Sequence, residues 1–441
     1  RLCVIKIVSI IKYPSVIIGI ILYFVIISIT HIRRFMMHVT IPQALDLIHK
    51  KVTSLHGEII PIEDSVGRVA LDTYCAAFNL PRFDNSAMDG YAVKLSNAST
   101  SVRSTQVIYA GDNPTMELHA GQAIRIMTGA PVPKGCEAII PIEEVTIDQE
   151  KITLPGTIKK GNCIRLAGED IAKGTPYLHQ GERINAYTIA SLASQGITHV
   201  TVSRRIKVAI FGTGDELRPH FEKIKDHQLY NSNSPMFLAR CKELGCEVRF
   251  IRSSADTLEA LQDSIASVLD ADVIITSGGV SVGDKDLTKE AFCNLGMQIH
   301  FQSVDIKPGR PTVFGTIGST AVLNLPGNPL ASMVNYELFL RAIIRKMSGR
   351  VDARHATITT LLGEELRLKG GTTTALLGTF NGESFTPLHK QKPGMVSPMQ
   401  RADGMILLHP KITQLPQNTP VKMIPIRWEA CTEKSVDLIN S

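Results

Sequence analysis

The chain has 441 residues, of which 44% are hydrophobic and 20% charged, and its formal net charge is +6. Five of the 47 lysines and arginines fall in residues 1–34, which hold no acidic residue, so the rest carries 42 basic against 41 acidic residues. A body this close to neutral excludes a nucleic-acid-binding protein that relies on a basic surface, and the length predicts roughly two to four domains.

The eight cysteines are scattered along the chain without a CxxC pair, and the histidines show no metal-ligand spacing. This pattern is typical of reduced thiols in a cytoplasmic protein rather than of a disulfide framework or a zinc site.

Residues 1–36 differ from the rest because residues 16–29 are almost wholly apolar and are followed by Arg33 and Arg34. One interpretation is a short membrane anchor, and a cleaved signal peptide is less favoured because no small-residue cleavage site follows. The favoured interpretation is that translation starts at Met36 or Met37, so that the leader is an upstream extension outside the native product. The protein would then associate with a membrane only if the native product includes the leader.

The first part of the body is predicted to be rich in β-structure after a helix over 42–55. Residues 107–145 alternate in polarity and are interrupted by glycine and proline. The polar stretch 84–93 predicts a turn that displays Asp89 before a strand over 91–93. A second turn, over 161–174, places Arg165, Glu169 and Asp170 close together, where an arginine fork suits an oxyanion; the alternative is an ordinary surface ion pair.

From residue 206 the pattern changes to alternating strands and helices, which predicts a doubly wound α/β domain with its ligands at the carboxyl ends of the strands. The predicted strands are 208–211, 247–251, 273–276, 302–306, 312–316 and 321–325, and the predicted helices are 234–244, 257–269, 287–295 and 330–347. Short strands over 351–428 predict a small C-terminal β-domain.

The central stretch is 272–286, where a strand, a glycine-rich loop and a helix start follow one another. Such a loop predicts an anion site, because free backbone N–H groups and the helix dipole face the ligand. Asp284 and Asp286 then favour a hard cation such as Mg²⁺ between carboxylate and phosphate. The alternative for either aspartate is a helix cap or a solvated first-turn residue.

Two other loops complete this edge. Residues 325–329 again join a strand to a helix, and residues 306–311 supply the cations Lys307 and Arg310. A dinucleotide fingerprint over 212–217 is excluded because Leu217 stands where the third glycine belongs, and the chain has no GxxxxGK[ST] phosphate loop.

Seven motifs in one order resemble the molybdopterin molybdenumtransferase family, which includes MoeA and the E domain of gephyrin. They are DNSAMDGYAV (84–93), RIMTGAPVPKG (125–135), IRLAGEDI (164–171), FGTGDEL (211–217), TSGGVSVGDKD (276–286), IKPGRP (306–311) and LPGNP (325–329). The resemblance implies a central α/β molybdopterin-binding domain of the MogA type, a β-rich N-terminal insertion and a C-terminal domain resembling a small β-barrel. The implied boundaries are 1–36 for the leader, 37–75 with 166–204 for an N-terminal linker domain, 76–165 for the insertion, 205–349 for the α/β domain and 350–431 for the C-terminal domain.

The resemblance also implies an enzyme that inserts molybdate into adenylylated molybdopterin and releases AMP in a Mg²⁺-dependent step. The implied catalytic acids are Asp89, Asp170, Glu216, Asp256 and Asp286, with Asp284 and Asp286 as metal ligands. The implied substrate-binding residues are Thr128, Arg165, Ser277, Gly278, Gly279, Ser281, Lys307, Arg310, Pro326, Gly327, Asn328 and Pro329. The implied partners are a second copy of the chain, a molybdopterin adenylyltransferase and proteins that mature molybdoenzymes.

Two departures and two rivals accompany this hypothesis. Family members often have serine where Gly212 stands, and many bacterial members carry a second lysine where this chain has Ser303. One rival is a molybdopterin adenylyltransferase, which resembles only residues 206–347 and leaves both β-rich regions unexplained. The other is a non-catalytic scaffold of the gephyrin type, which the full set of acidic residues disfavours.

Overall fold

The computed structural model describes residues 37–104, 106–113, 115–212, 216–252, 257–278 and 287–427. The expectations for the leader therefore lie outside the described residues. The chain divides into two compact units, one formed by Arg1–His56 with Ser203–Ser441 and the other by Gly57–Val202. Among the helices of the described ranges, none has the length and apolar character that a membrane span requires.

The unit Gly57–Val202 is built mainly from short strands, as its alternating sequence predicts. Its four-stranded sheet has the order Val107–Ile108, Ile124–Ile126, Gly90–Val93, Ala138–Pro141. The other strands are Gly57–Pro61, Tyr74–Cys75, Asn85–Ser86, Ser101–Arg103, Thr146–Asp148, Lys151–Thr153, Ile164–Arg165, Pro176–Leu178 and, at the unit's end, His199–Ser203. The helix Ala186–Ser194 begins at a capping box, in which the Asn185 side chain accepts from the backbone N–H groups of Tyr187 and Thr188.

The unit that includes Ser203–Ser441 contains the α/β domain, whose six-stranded sheet confirms the doubly wound prediction. The strand order is Glu247–Arg252, Lys207–Gly212, Val273–Ser277, Thr320–Leu325, Val313–Ile317, Gln298–Phe301. The first four are parallel, and Val313–Ile317 runs antiparallel to both of its neighbours. Because these strands are covered on both faces, they are almost continuously apolar rather than alternating.

Helices cover both faces of this sheet. Val273 and Ile275 belong to one buried cluster and Ile274 to the other, as the two-residue period of a strand requires. The first face is covered by the helices Ile41–Lys51, Asn233–Glu243, Pro329–Asn335 and Arg341–Met347, the last two joined by a π-helical turn at Tyr336–Leu340. The second face is covered by Leu258–Ala266 and Leu287–Asn294.

The strand expected near 302–306 is present as Ser303–Val304 but does not belong to the six-stranded sheet. The sheet strand is Gln298–Phe301, with a register shift between Ile299 and Phe301. The chain then leaves the sheet edge, and Ser303–Val304 pairs in parallel with His38–Val39 instead. The apolar pattern predicts extended backbone but does not say which strand supplies the partner.

The C-terminal region forms a closed barrel, which confirms the predicted small β-domain. Its strands, in barrel order, are Ile358–Leu362, Ser384–Pro387, Thr374–Phe380, Gly404–Leu408 and Pro420–Pro425. Leu366–Arg367 pairs with Gln414–Leu415 beside it, and the short helix Ser397–Arg401 completes the region. Leu362, Phe385 and Ile406 are buried in the barrel interior.

A buried carboxylate connects the α/β domain to the barrel. Glu337, only 1% exposed, accepts from Arg240 Nη2 at 2.8 Å and from Arg341 Nη1 at 2.8 Å. The same guanidinium groups donate to backbone carbonyls at the end of the last barrel strand, Arg341 Nη1 to Pro425 at 3.0 Å and Arg240 Nη2 to Ile426 at 3.4 Å. Pairing on both carboxylate oxygens offsets the cost of burying this charge.

Gly309 is required by close packing under the loop 306–311, which we call the lysine loop. Its φ is +108°, and a Cβ would lie 2.2 Å from Asn335 Nδ2, which donates a 2.8 Å hydrogen bond to the Gly309 carbonyl. We expect Gly309→Ala to lower the free energy of unfolding by about 1–3 kcal/mol more than Gly296→Ala, because overpacking adds to the backbone strain. Gly296 has a φ of +87° and open space around it, so it isolates the backbone term. Urea denaturation of both variants measures the difference, and equal losses would contradict the packing argument.

Candidate functional site

Two predicted ligand loops meet at the carboxyl edge of the α/β sheet. Ser277 ends its strand and Gly278 follows, while residues 325–329, which we call the proline loop, lead from the next strand into a helix. The Gly278 N–H donates to the Leu325 carbonyl at 3.1 Å. A Cβ on Gly327 would lie 3.5 Å from the Gly278 Cα, so the two backbones pack directly against each other. Ser277 and Pro326 are buried here, whereas Gly327 and Asn328 are exposed.

The lysine loop lies at the same edge, against the helix Pro329–Asn335. Its backbone is held by the barrel, because the Lys307 N–H donates to Thr373 and the Lys307 carbonyl accepts from Ala375, both at 2.8 Å. The side chains of Lys307 and Arg310 are exposed, and neither is hydrogen-bonded or ion-paired within the described part of the chain. The barrel therefore fixes the base of a loop whose two cations remain available to an anion.

Glu216 follows in sequence the strand Lys207–Gly212, whose last residue pairs with Ser277 at this edge. It is exposed, and its carbonyl accepts from the Leu229 N–H at 2.8 Å. The structure explains why glycine stands at 212, because a Cβ there would lie 2.3 Å from Asn231 Nδ2. In this chain the Asn231 side chain therefore fills the space that a serine at 212 would need.

Ser303, the other departure, is half-buried beside the N-terminal strand. Its Oγ lies 3.0 Å from His38 Nδ1. This position carries no charge, whereas the lysine loop supplies two exposed cations to the edge.

In the unit Gly57–Val202, the structure brings Asp89 and Thr128 together. Asp89 Oδ1 accepts two hydrogen bonds, from the Thr128 backbone N–H and from Thr128 Oγ1, both at 2.8 Å. These bonds lower the pKa of the exposed Asp89 carboxyl, the backbone donor most, and the charge of Arg125 acts in the same direction. Asp89 therefore remains an anion at a lower pH than an ordinary aspartate.

Arg165 and Asp170 lie on a segment interwoven with the Asp89 turn. Arg165 pairs with Asn85 in a short antiparallel ladder, and the Asp170 N–H donates to the Leu80 carbonyl at 3.1 Å. Both side chains are exposed. The segment is fixed further by the Ala167 N–H, which donates to Asp84 Oδ1 at 2.7 Å.

We expect Thr128→Val to raise the pKa of Asp89 toward that of an ordinary aspartate, because it removes the hydroxyl donor and keeps the backbone one. A ¹³C NMR titration of the Asp89 carboxyl measures the change. Thr128→Ser keeps the hydroxyl and is expected to leave the pKa low. If valine has no more effect than serine, the Oγ1 bond does not control this carboxylate.

Several predicted site residues lie outside the described residues, namely Asp256, Gly279, Ser281, Asp284 and Asp286. Within the described ranges, no three His, Cys, Asp or Glu side chains come together as a metal site. Two residues were missed: Arg125, beside Asp89, and Asn233, which contacts both the Ser277 strand end and the proline loop. Arg125 lies within a quoted motif, but Asn233 has the sequence signal of an ordinary helix start.

Two family models match the chain. One is described as the MoeA N-terminal region, domains I and II, and matches residues 39–196. The other is described as a probable molybdopterin-binding domain and matches residues 209–346. The second covers the sheet whose carboxyl edge holds the two packed loops.

Relatives and solved structures extend this similarity over most of the chain. A molybdopterin molybdenumtransferase from Haemophilus influenzae is 35% identical, with 66% of this chain and 73% of that protein covered. One from Staphylococcus epidermidis is 30% identical, with 84% and 91% covered. The crystal structure of a molybdopterin biosynthesis MoeA protein from Pyrococcus horikosii has a TM-score of 0.75 at 27% identity, with 89% and 100% covered. The chain belongs to the molybdopterin molybdenumtransferase family.

Proposed function

We propose that this chain inserts molybdate into adenylylated molybdopterin and releases AMP. The observation that supports this most is the edge of the α/β sheet, where two backbone loops pack together beside the exposed cations Lys307 and Arg310. Backbone N–H groups and a planar guanidinium suit phosphate and molybdate alike, because both are tetrahedral oxyanions.

The proposed role of each residue follows from its chemistry. Ser277, Gly278 and the proline loop hold the phosphates of the pterin–nucleotide, and Gly279 and Ser281 extend the same loop in sequence. Lys307 and Arg310 attract molybdate. Asp89, whose pKa is lowered by Thr128, is one of the acids at the reacting end, with Arg165 as an oxyanion contact and Asp170, Glu216, Asp256 and Asp286 as the others.

Mg²⁺ is part of the proposal, and the donor chemistry fits it. Asp284 and Asp286 would hold the ion, because carboxylate oxygens are the hard ligands that Mg²⁺ prefers. They follow in sequence the strand whose last residue, Ser277, is described at the sheet edge. When bound, the ion would neutralise charge on the phosphates that separate as AMP leaves.

We also propose that the protein acts as a homodimer. The acids fall into two groups, one in the unit Gly57–Val202 and one in the α/β domain, and a single small substrate must meet both. A dimer with twofold symmetry would let one chain supply Asp89 and its neighbours while the other supplies the sheet edge.

The proposed compartment is the cytoplasm. The proposed reaction stands between two other steps of the same pathway. Cys75, Cys136, Cys163, Cys241, Cys246 and Cys293 are free thiols, which is typical of a reducing compartment. An adenylyltransferase must supply the adenylylated substrate, and proteins that mature molybdoenzymes would receive the product.

The test is AMP release by the purified chain from adenylylated molybdopterin, with and without molybdate and Mg²⁺. Release that needs both, with recovery of an active cofactor by an apo-molybdoenzyme, is the expected result. An adenylyltransferase would instead convert molybdopterin and ATP to the adenylylated compound, and a scaffold would do neither. Either outcome would overturn the proposal.

A further inference from the structure

Asn233 is the first residue of the helix Asn233–Glu243, and only 7% of it is exposed. Its Nδ2 donates a 2.7 Å hydrogen bond to Ser277 Oγ and a 2.8 Å hydrogen bond to the Gly327 carbonyl. The first acceptor ends the Val273–Ser277 strand and the second belongs to the proline loop. One side-chain amide therefore uses both of its N–H groups to bridge the two loops of the sheet edge.

The other end of this amide is not used in the same way. Asn233 Oδ1 is buried and has no hydrogen-bond partner within the described part of the chain. Buried acceptors without a partner are rare in native proteins, and each one calls for an explanation. The Asn233 amide satisfies both of its donors and leaves its acceptor unpaired. We therefore attribute its orientation to the two hydrogen bonds that it donates.

The direct side-chain contact between the loops is looser than the bridge. Ser277 Oγ lies 3.5 Å from the Pro326 carbonyl oxygen. A typical O–H···O hydrogen bond is about 2.7–2.8 Å long. The shorter Asn233 bonds therefore set the distance between Ser277 and Gly327 more tightly than this contact does.

We propose that Asn233 is a positioning residue, which fixes the separation of the Ser277–Gly278 turn and the proline loop and so sets the affinity for a phosphate-bearing substrate. It touches no reacting atom and acts through the Ser277 side chain and the Gly327 carbonyl, which it bridges. The identity of that substrate rests on the proposed function; the bridge itself does not.

The first variant is Asn233→Asp, which keeps the shape and replaces both donors with an oxygen that faces two acceptors. We expect the KM for adenylylated molybdopterin to rise by about tenfold or more, because two hydrogen bonds to the loops are lost. The KM for molybdate should change by less than about threefold, because Lys307 and Arg310 stand on another loop. Asn233→Ala removes the same donors and gives the same readout where the buried carboxylate prevents folding.

The matched control is Thr320→Val, at the opposite end of the same sheet. Thr320 is 4% exposed, and its Oγ1 donates to the Ala271 carbonyl at 2.9 Å, so valine also removes a buried donor without changing the shape. We expect it to lower the urea midpoint and to leave both KM values unchanged. If Asn233 variants behave like this control, the residue is only structural and the inference fails.

Hydrogen–deuterium exchange separates this inference from the proposed function. Exchange over residues 325–330 should be faster in the folded Asn233 variants than in the wild type and unchanged in Thr320→Val, whether or not the wild type releases AMP. A wild type without AMP release would overturn the function alone. Unchanged exchange in the Asn233 variants would overturn the bridge alone.

Discussion

A Lys307→Met chain is expected to need about 10- to 100-fold more molybdate for half-maximal AMP release, since a hydrogen bond to a charged group contributes about 1.5–3 kcal/mol. The side chain is exposed, while its backbone is fixed on both sides by Thr373 and Ala375. Replacing the ammonium with a thioether therefore removes the charge and leaves the loop in place. The KM for adenylylated molybdopterin should change much less.

Two further variants define what this result means. Lys307→Arg keeps the positive charge and should recover most of the molybdate affinity. Lys422→Met removes an exposed lysine from a barrel strand and should leave both KM values unchanged. An unchanged KM for molybdate in Lys307→Met would show that Lys307 does not bind this anion.

Mixing two inactive chains is expected to restore activity if the proposed dimer shares its sites. Asp89→Ala and Asp286→Ala each remove one acid, and the two acids belong to different groups. In a mixed dimer, one site contains both substitutions and the other site contains neither. Random assembly makes about half the dimers mixed, so roughly a quarter of the sites should release AMP.

The control for this experiment mixes two chains whose substitutions both lie in the α/β domain, Asp286→Ala and Lys307→Ala. Every site of such a mixed dimer contains one of these substitutions, so no recovery of activity above the single variants is expected. Recovery in both mixtures would indicate exchange of something other than shared sites. Recovery in neither would show that each site is built within one chain.

The α/β sheet was predictable because its buried strands are short apolar runs separated by helical patterns. Val273–Ser277 and Thr320–Leu325 lie where the sequence places them within one or two residues. Pairing was less predictable, because it depends on distant segments. Nothing local at Ser303 indicates that it pairs with His38, and the closure of the barrel depends on the pairing of Ile358–Leu362 with Pro420–Pro425.

The site was predictable to the extent that its chemistry lies in contiguous motifs. Ser277, Gly278 and the proline loop are found together, as their shared place at strand ends predicts. Asp89 and Thr128 also meet, although separate motifs contain them. Asn233 could not be predicted, because an asparagine at a helix start has the same local pattern whether its amide caps the helix or bridges two loops.

The hydrogen bonds that attach the barrel to the α/β domain do not depend on the side chains at the end of its last strand. Arg240 and Arg341, both paired with Glu337, donate to the main-chain oxygens of residues 425 and 426 rather than to side chains. Every amino acid offers that acceptor, so substitutions at these two positions preserve the hydrogen bonds. The hydrogen bonds of this anchor therefore depend on the three charged side chains and not on which residues stand at 425 and 426.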